Sequence, residues 1–171
     1  MRLDFIATAS AGAVLAAGGS AIAVLVLTSI HHAYGALIYD TPWRMHVLLL
    51  SVPGALAIAG LLYSGWRLRN AWLAWAGVVV ILVLPILTIG VFEGFYNHAL
   101  KNLVFFTIGP ATAARVFAAP VYEMPDNVFF EVTGIMQAVL ATGAALMLWR
   151  LLRGAGGSIA PAGRALGRPL E

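Results

Sequence analysis

Four apolar stretches, each long enough to cross the hydrocarbon layer of a bilayer, divide this 171-residue chain. A helix rises about 1.5 Å per residue, so about 20 apolar residues span that layer. The stretches fall at about residues 5–30, 43–66, 71–93 and 128–152. A soluble domain of this length keeps much of its surface in water and could not hide so many apolar side chains. Charged residues make up 10% of the chain, against roughly 25% in ordinary soluble domains. The sequence therefore predicts an all-α fold. It is an integral membrane four-helix bundle over residues 1–153, with an extra interfacial or re-entrant helical segment at 94–127 between the third and fourth spans. Residues 154–171, rich in Gly, Ala and Pro, are expected to form a flexible cytoplasmic tail.

The first run carries no charge between Asp4 and His31. Small residues recur along it at every fourth position, as Gly12, Ala16 and Ser20 and as Ala9, Ala13, Ala17 and Ala21. Such faces let helix backbones approach closely. Ala21-Ile22-Ala23 matches the pattern of a leader cleavage site, but the apolar run continues to Ile30, so it reads as a retained span. His31 to Asp40 reads as a short loop, and Thr41-Pro42 as an N-cap followed by proline at the first helical position. Pro53 and Pro85 are internal prolines that kink their spans, and Trp43 and Trp66 mark the two interfaces of the second. Gly94 to Phe106 either extends the third helix or lies in the interface, and Gly109-Pro110 breaks it. A surface cap is the favoured reading, because Lys101, Asn102 and Arg115 are costly in lipid.

An even number of spans places both termini on one side. Seven of the ten basic residues fall there (Arg2, Arg67, Arg69, Arg150, Arg153, Arg164, Arg168), and Arg44, Lys101 and Arg115 fall on the other. The positive-inside rule then makes the termini cytoplasmic, in what is expected to be a bacterial inner membrane. The basic residues form no stripe with interleaved aromatics, so nucleic-acid binding is not expected. The absence of cysteine excludes disulfides, thiolate metal ligands and cysteine nucleophiles. No Gly-x-Ser-x-Gly elbow or phosphate-binding glycine loop is present.

All four histidines fall at the extracytoplasmic end. His31 and His32 close the first span, His46 sits just inside the second, Glu93 and His98 lie at and beyond the end of the third, and Glu131 lies one turn inside the fourth. Ionisable groups near the apolar layer are expensive and usually face the bundle interior or a wet cavity. Imidazole and carboxylate together suit zinc, iron or copper, and two histidines on different helices also suit haem. His31, His32, His46, Glu93 and His98 are the candidate metal ligands, and Glu93 and Glu131 the candidate catalytic carboxylates. His46 is the best single candidate. Each has a plainer reading. Adjacent His31 and His32 point to different faces of a helix. Glu131 complements the positive end of its helix. His98 falls about 140° around an α-helix from Glu93, at about 100° per residue, so the two meet only if the helix unwinds near Gly94.

These features support a membrane metalloprotein with a site at headgroup level and a lipid-like substrate. The alternatives are a non-catalytic accessory subunit or assembly factor, docked on a membrane partner through the small-residue face of the first span, and a carrier for a metal ion or small solute. The nearly bare middle of each span argues against the carrier.

Overall fold

The computed structural model describes residues 5–119 and 122–154, and among them every regular element is helical. The expected tail, with Arg164 and Arg168, and the N-terminal Arg2 lie outside the described residues. A short α1 (Phe5–Thr8) precedes α2 (Ala11–Ile38). A 3-10 turn, Pro42–Met45, leads into α3 (His46–Arg67). Next come α4 (Ala71–Ile81), a π-helical segment (Leu82–Leu100) and α5 (Lys101–Thr107), continuous as one 37-residue rod. The short α6 (Pro110–Val116) and the long α7 (Val128–Gly154) are the last of the described elements. Among the described residues four helices are long and apolar enough to cross a membrane: Ala11–Ile38, Pro42–Arg67, Ala71–Thr107 and Val128–Gly154.

Local chemistry sets the ends. Ser10 caps α2 by accepting from the Ala13 N–H, Asn70 caps α4 through the Leu73 N–H, and Asn127 accepts from the Phe130 N–H at the start of α7. Proline opens the 3-10 turn and α6, where its missing N–H costs nothing. Gly109, at φ 123°, supplies the backbone reversal between α5 and α6 that other residues rarely adopt.

The widened segment has a traceable origin. Pro85 has no N–H to offer the carbonyl four residues back, Ile81, and its ring crowds that carbonyl. The segment begins at the next residue, Leu82, and its bonding shifts to i→i+5. Thr88 follows the same register, its hydroxyl donating to the Val83 carbonyl at 2.9 Å. The wider turn brings residues five apart nearer to a common face than an α-helix does.

Packing is uneven. α7 lies against both α2 and the π segment, while α3 packs on α2 and α4 and hardly touches the π segment. Small residues make the tight interface possible: a Cβ at Gly94 would lie 2.5 Å from the Ala138 backbone nitrogen. At the end opposite the histidines, the Trp66 indole donates to the Ala9 carbonyl, and Phe5 meets Trp75 edge to face.

Three boundaries differ from the sequence expectation. The first span starts after a break at Ser10 and runs on to Ile38, so His31 and His32 lie inside a helix and not in a loop. Nothing stops α2 earlier, because His31 to Ile38 contains no proline and its one glycine, Gly35, packs against Phe130. The third helix passes through Glu93 and ends at Thr107, so Lys101 and Asn102 lie within the bundle and not in a surface cap. Of the expected segment at 94–127, only α6 is a separate helix.

Candidate metal centre

α2 brings two histidines to the bundle interior. His31 is fully buried and His32 is 9% exposed. Adjacent helical side chains diverge, yet both imidazoles flank the same carboxylate on the π segment: the Nε2 atoms of His31 and His32 lie 3.8 and 3.6 Å from Glu93 Oε1. His98 completes the set, its Nε2 3.5 Å from that same oxygen. The i→i+5 register accounts for this, since it narrows the angle around the axis between Glu93 and His98, five residues apart, from its α-helical value. The unwinding that the sequence requires near Gly94 is therefore spread over the whole segment from Leu82 to Leu100.

Hydrogen bonds on the far side hold the His31 and His98 rings, while His32 Nδ1 is buried without a partner. The Thr133 hydroxyl donates to the Phe129 and Phe130 carbonyls, so its oxygen accepts from His31 Nδ1–H at 3.0 Å. Glu131 Oε2 accepts from His98 Nδ1–H at 2.8 Å. In their neutral forms the His31 and His98 rings are left with a lone pair on Nε2 facing Glu93. An acceptor turned toward a carboxylate is unfavourable unless a proton or a metal cation lies between them. His31 Nε2 is buried and has no hydrogen-bond partner.

Glu131 sits one layer behind. Lys101 donates to its Oε1 at 2.8 Å, and Asn102 and His98 donate to Oε2. Lys101 is 2% exposed and also donates to the Glu123 carbonyl. Arg44, 4% exposed, pairs with the Glu123 side chain at 2.9 Å and donates through Nε to Thr41. Lys101 thus offsets Glu131, and Arg44 offsets Glu123. Among the described residues no lysine or arginine pairs with Glu93, whose Oε2 accepts only from Asn97. A carboxylate so enclosed calls for a positive partner.

Of the residues singled out from sequence, His31, His32, Glu93 and His98 converge, and the ligand atoms of His31, His32 and Glu93 lie within 4.8 Å of one another. Glu131 belongs to the cluster through His98. His46 does not join it. As the first residue of α3 its side chain points back along the helix, Nδ1–H donating to the Trp43 carbonyl and the ring stacking on Trp43. It is exposed and lies at the mouth of a cavity whose wall includes His32 and Glu93. Lys101 and Asn102, expected in a surface cap, and Thr133 and Arg44 are not among the candidate site residues of the sequence. The signal for Lys101 was its own cost: a lysine in an apolar helix needs a carboxylate nearby. Gln137 is fully buried with neither side-chain polar atom partnered, and so is the Thr28 hydroxyl one turn before His31 and His32.

No family model matches the chain, and neither a curated protein nor a solved structure does.

Proposed function

We propose that this chain is an integral membrane protein that holds one divalent transition-metal ion through His31, His32, Glu93 and His98 at one end of its bundle. The carrying observation is the approach of three imidazole Nε2 atoms to one carboxylate oxygen, at 3.5, 3.6 and 3.8 Å. Ligands on a tetrahedral zinc at about 2.0–2.1 Å stand roughly 3.3 Å apart; the ligand atoms of His31, His32 and Glu93 already lie within 4.8 Å of one another, and His98 would turn in to complete the set. A three-nitrogen, one-oxygen donor set suits zinc, iron or manganese better than a soft copper site. The Glu131–His98 bond is the outer-sphere partner that metal-bound histidines commonly have. A haem is a poorer fit. The His31 ring stacks on Phe130 at 4.1 Å and meets His98 at 4.7 Å, which leaves no slab for a porphyrin. Glu131, with every strong donor around it already engaged, acts as a positioning residue and not as a free base.

The test is elemental analysis of the full chain purified in mild detergent, followed by zinc titration of the stripped protein. Near one ion per chain is expected, reduced to background in His31→Ala and Glu93→Gln. A protein that copurifies with no transition metal and binds none stoichiometrically overturns the reading.

A second reading, that the chain is a subunit of a larger membrane assembly, rests on α2. Ala13, Ala17 and Ala21 face inward, but Gly12 and Ala16 of the other small-residue face remain exposed and open to a partner helix. Recovery of a stoichiometric membrane partner after gentle solubilisation supports it, and a strictly monomeric chain counts against it.

A further inference from the structure

A cavity of about 280 Å³ opens beside the histidine cluster, and its walls differ in kind from one end to the other. His32, Arg44, His46, Glu93, Asn97 and Tyr122 form the polar end. Val47, Leu50, Leu84, Ile89 and Phe92 form the apolar end. Helix α3 and the π segment close together at Gly54, where a Cβ would lie 2.6 Å from Leu84, and have little other contact. The cleft between them therefore widens toward His46 and Glu93. Leu50 and Phe92, which flank it, are 57% and 51% exposed, facing what would be lipid.

The polar end is rich in acceptors and poor in free cations. His46 donates Nδ1–H to the Trp43 carbonyl, which leaves Nε2 as an acceptor. Asn97 spends its amide N–H on Glu93, and its Oδ1 has no partner. Glu93 is a carboxylate. The one cation in the wall, Arg44, is already engaged by Glu123 and Thr41. Such a surface suits a hydroxyl donor better than a phosphate, for which the wall holds no cation free of a carboxylate. The volume sits at the small end of ligand pockets, about 300–1,000 Å³, which suits a head group whose tail stays in the bilayer.

We infer that the cavity between α3 and the π segment binds an uncharged membrane amphiphile with a hydroxyl head, the head beside His32 and Glu93 and the tail leaving between Leu50 and Phe92. This rests on the proposed metal site only in that it names what would approach it. A quinol with an isoprenoid tail and a plain long-chain alcohol share this chemistry.

The test uses the full chain in nanodiscs. Quenching of Trp43, which lines the cavity, is followed on titration with a dibrominated long-chain alcohol, with Trp43→Phe as the background. Saturable quenching is expected. It should be displaced by unlabelled alcohol or by an isoprenoid quinol, whichever is the tighter ligand, and weakened at least about ten-fold by the cavity-filling Thr88→Phe and Val47→Phe. Zinc stoichiometry is measured on the same samples. Saturable binding without zinc supports the cavity while sinking the metal site. Zinc bound at one per chain with only non-saturable quenching overturns the cavity and leaves the metal site standing. Equal or tighter displacement by a long-chain phosphatidic acid, or no effect of either filling variant, also overturns it.

Discussion

His98 and Glu131 are joined by a 2.8 Å hydrogen bond that runs from imidazole Nδ1–H to carboxylate Oε2, and this bond decides which face of the histidine is available for chemistry. With Nδ1 committed, the lone pair of His98 is on Nε2, turned toward Glu93. Glu131 is held in turn by Lys101 and Asn102. Glu131→Gln should therefore weaken zinc binding about 10- to 100-fold without removing a direct ligand. It also leaves Lys101 buried without its counter-charge, a loss that costs about 3–5 kcal/mol when a buried pair is broken. A companion variant, Glu131→Gln with Lys101→Met, removes both charges and should regain stability but not zinc affinity. Zinc competition titration and thermal unfolding of the two proteins separate these effects. Equal zinc affinity in wild type and Glu131→Gln would falsify the positioning role.

The two histidines nearest the cavity should behave oppositely. His32 is 9% exposed with Nε2 3.6 Å from Glu93, whereas His46 is exposed and spends its Nδ1–H on the Trp43 carbonyl. His32→Ala is expected to lose most bound zinc in a stoichiometric assay. His46→Ala should keep it and change only amphiphile binding. Loss of zinc in both variants to the same degree would mean that His46 swings into the site.

How far the site is legible in the sequence depends on which physical rule carries each residue. The four long helices follow from apolar length alone, and the common depth of the histidines and acids follows from that. The meeting of Glu93 with His98 does not, because the α-helical period puts them on different faces. Pro85 is visible as a kink, but nothing local to Glu93 announces that the altered register persists through the nineteen residues from Leu82 to Leu100. The Lys101–Glu131 pair was hidden for a related reason. Ending the third helix at Glu93 placed Lys101 in a surface segment, where a lysine needs no partner. His46 misled in the opposite sense: its position in the chain is at the right depth, but a first-turn side chain points backward out of the bundle.

Tyr39, just beyond the end of α2, ties this end of the bundle to the segment before α7, its hydroxyl donating to Asp126 at 2.6 Å. Burial, then that hydrogen bond, then the charge of Asp126 hold the phenol above its ordinary value. A raised phenol favours the folded state while it stays neutral. Its contribution is whole below the unfolded value of about 10 and is lost as pH rises through the higher folded value. Thermal stability of the wild type should therefore fall more steeply above about pH 10 than that of Tyr39→Phe. Parallel slopes in melting curves taken across that range would show that the bond does not couple to folding.

Gly134 lies on α7 one turn from Glu131, and its missing side chain is the space that the His98 ring occupies. A Cβ built there collides with the imidazole at Cγ, Nδ1 and Cδ2. Neither neighbour can retreat easily. The ring is clamped by Glu131 on one side and meets Phe130 and His31 edge on. Gly134→Ala would normally favour a helix by about 1 kcal/mol. Here overpacking of about 1–3 kcal/mol should outweigh that gain. The displaced His98 should also lose its alignment with Glu93, so zinc affinity is expected to fall together with stability. Gly143→Ala is the matched control, since nothing lies within 4 Å of a Cβ at that position on the same helix, and it should be neutral or stabilising. Unfolding curves and zinc titration of the two alanine variants decide the matter. A Gly134→Ala protein that is as stable as the control and binds zinc as the wild type does would mean that His98 is not held where the cluster needs it.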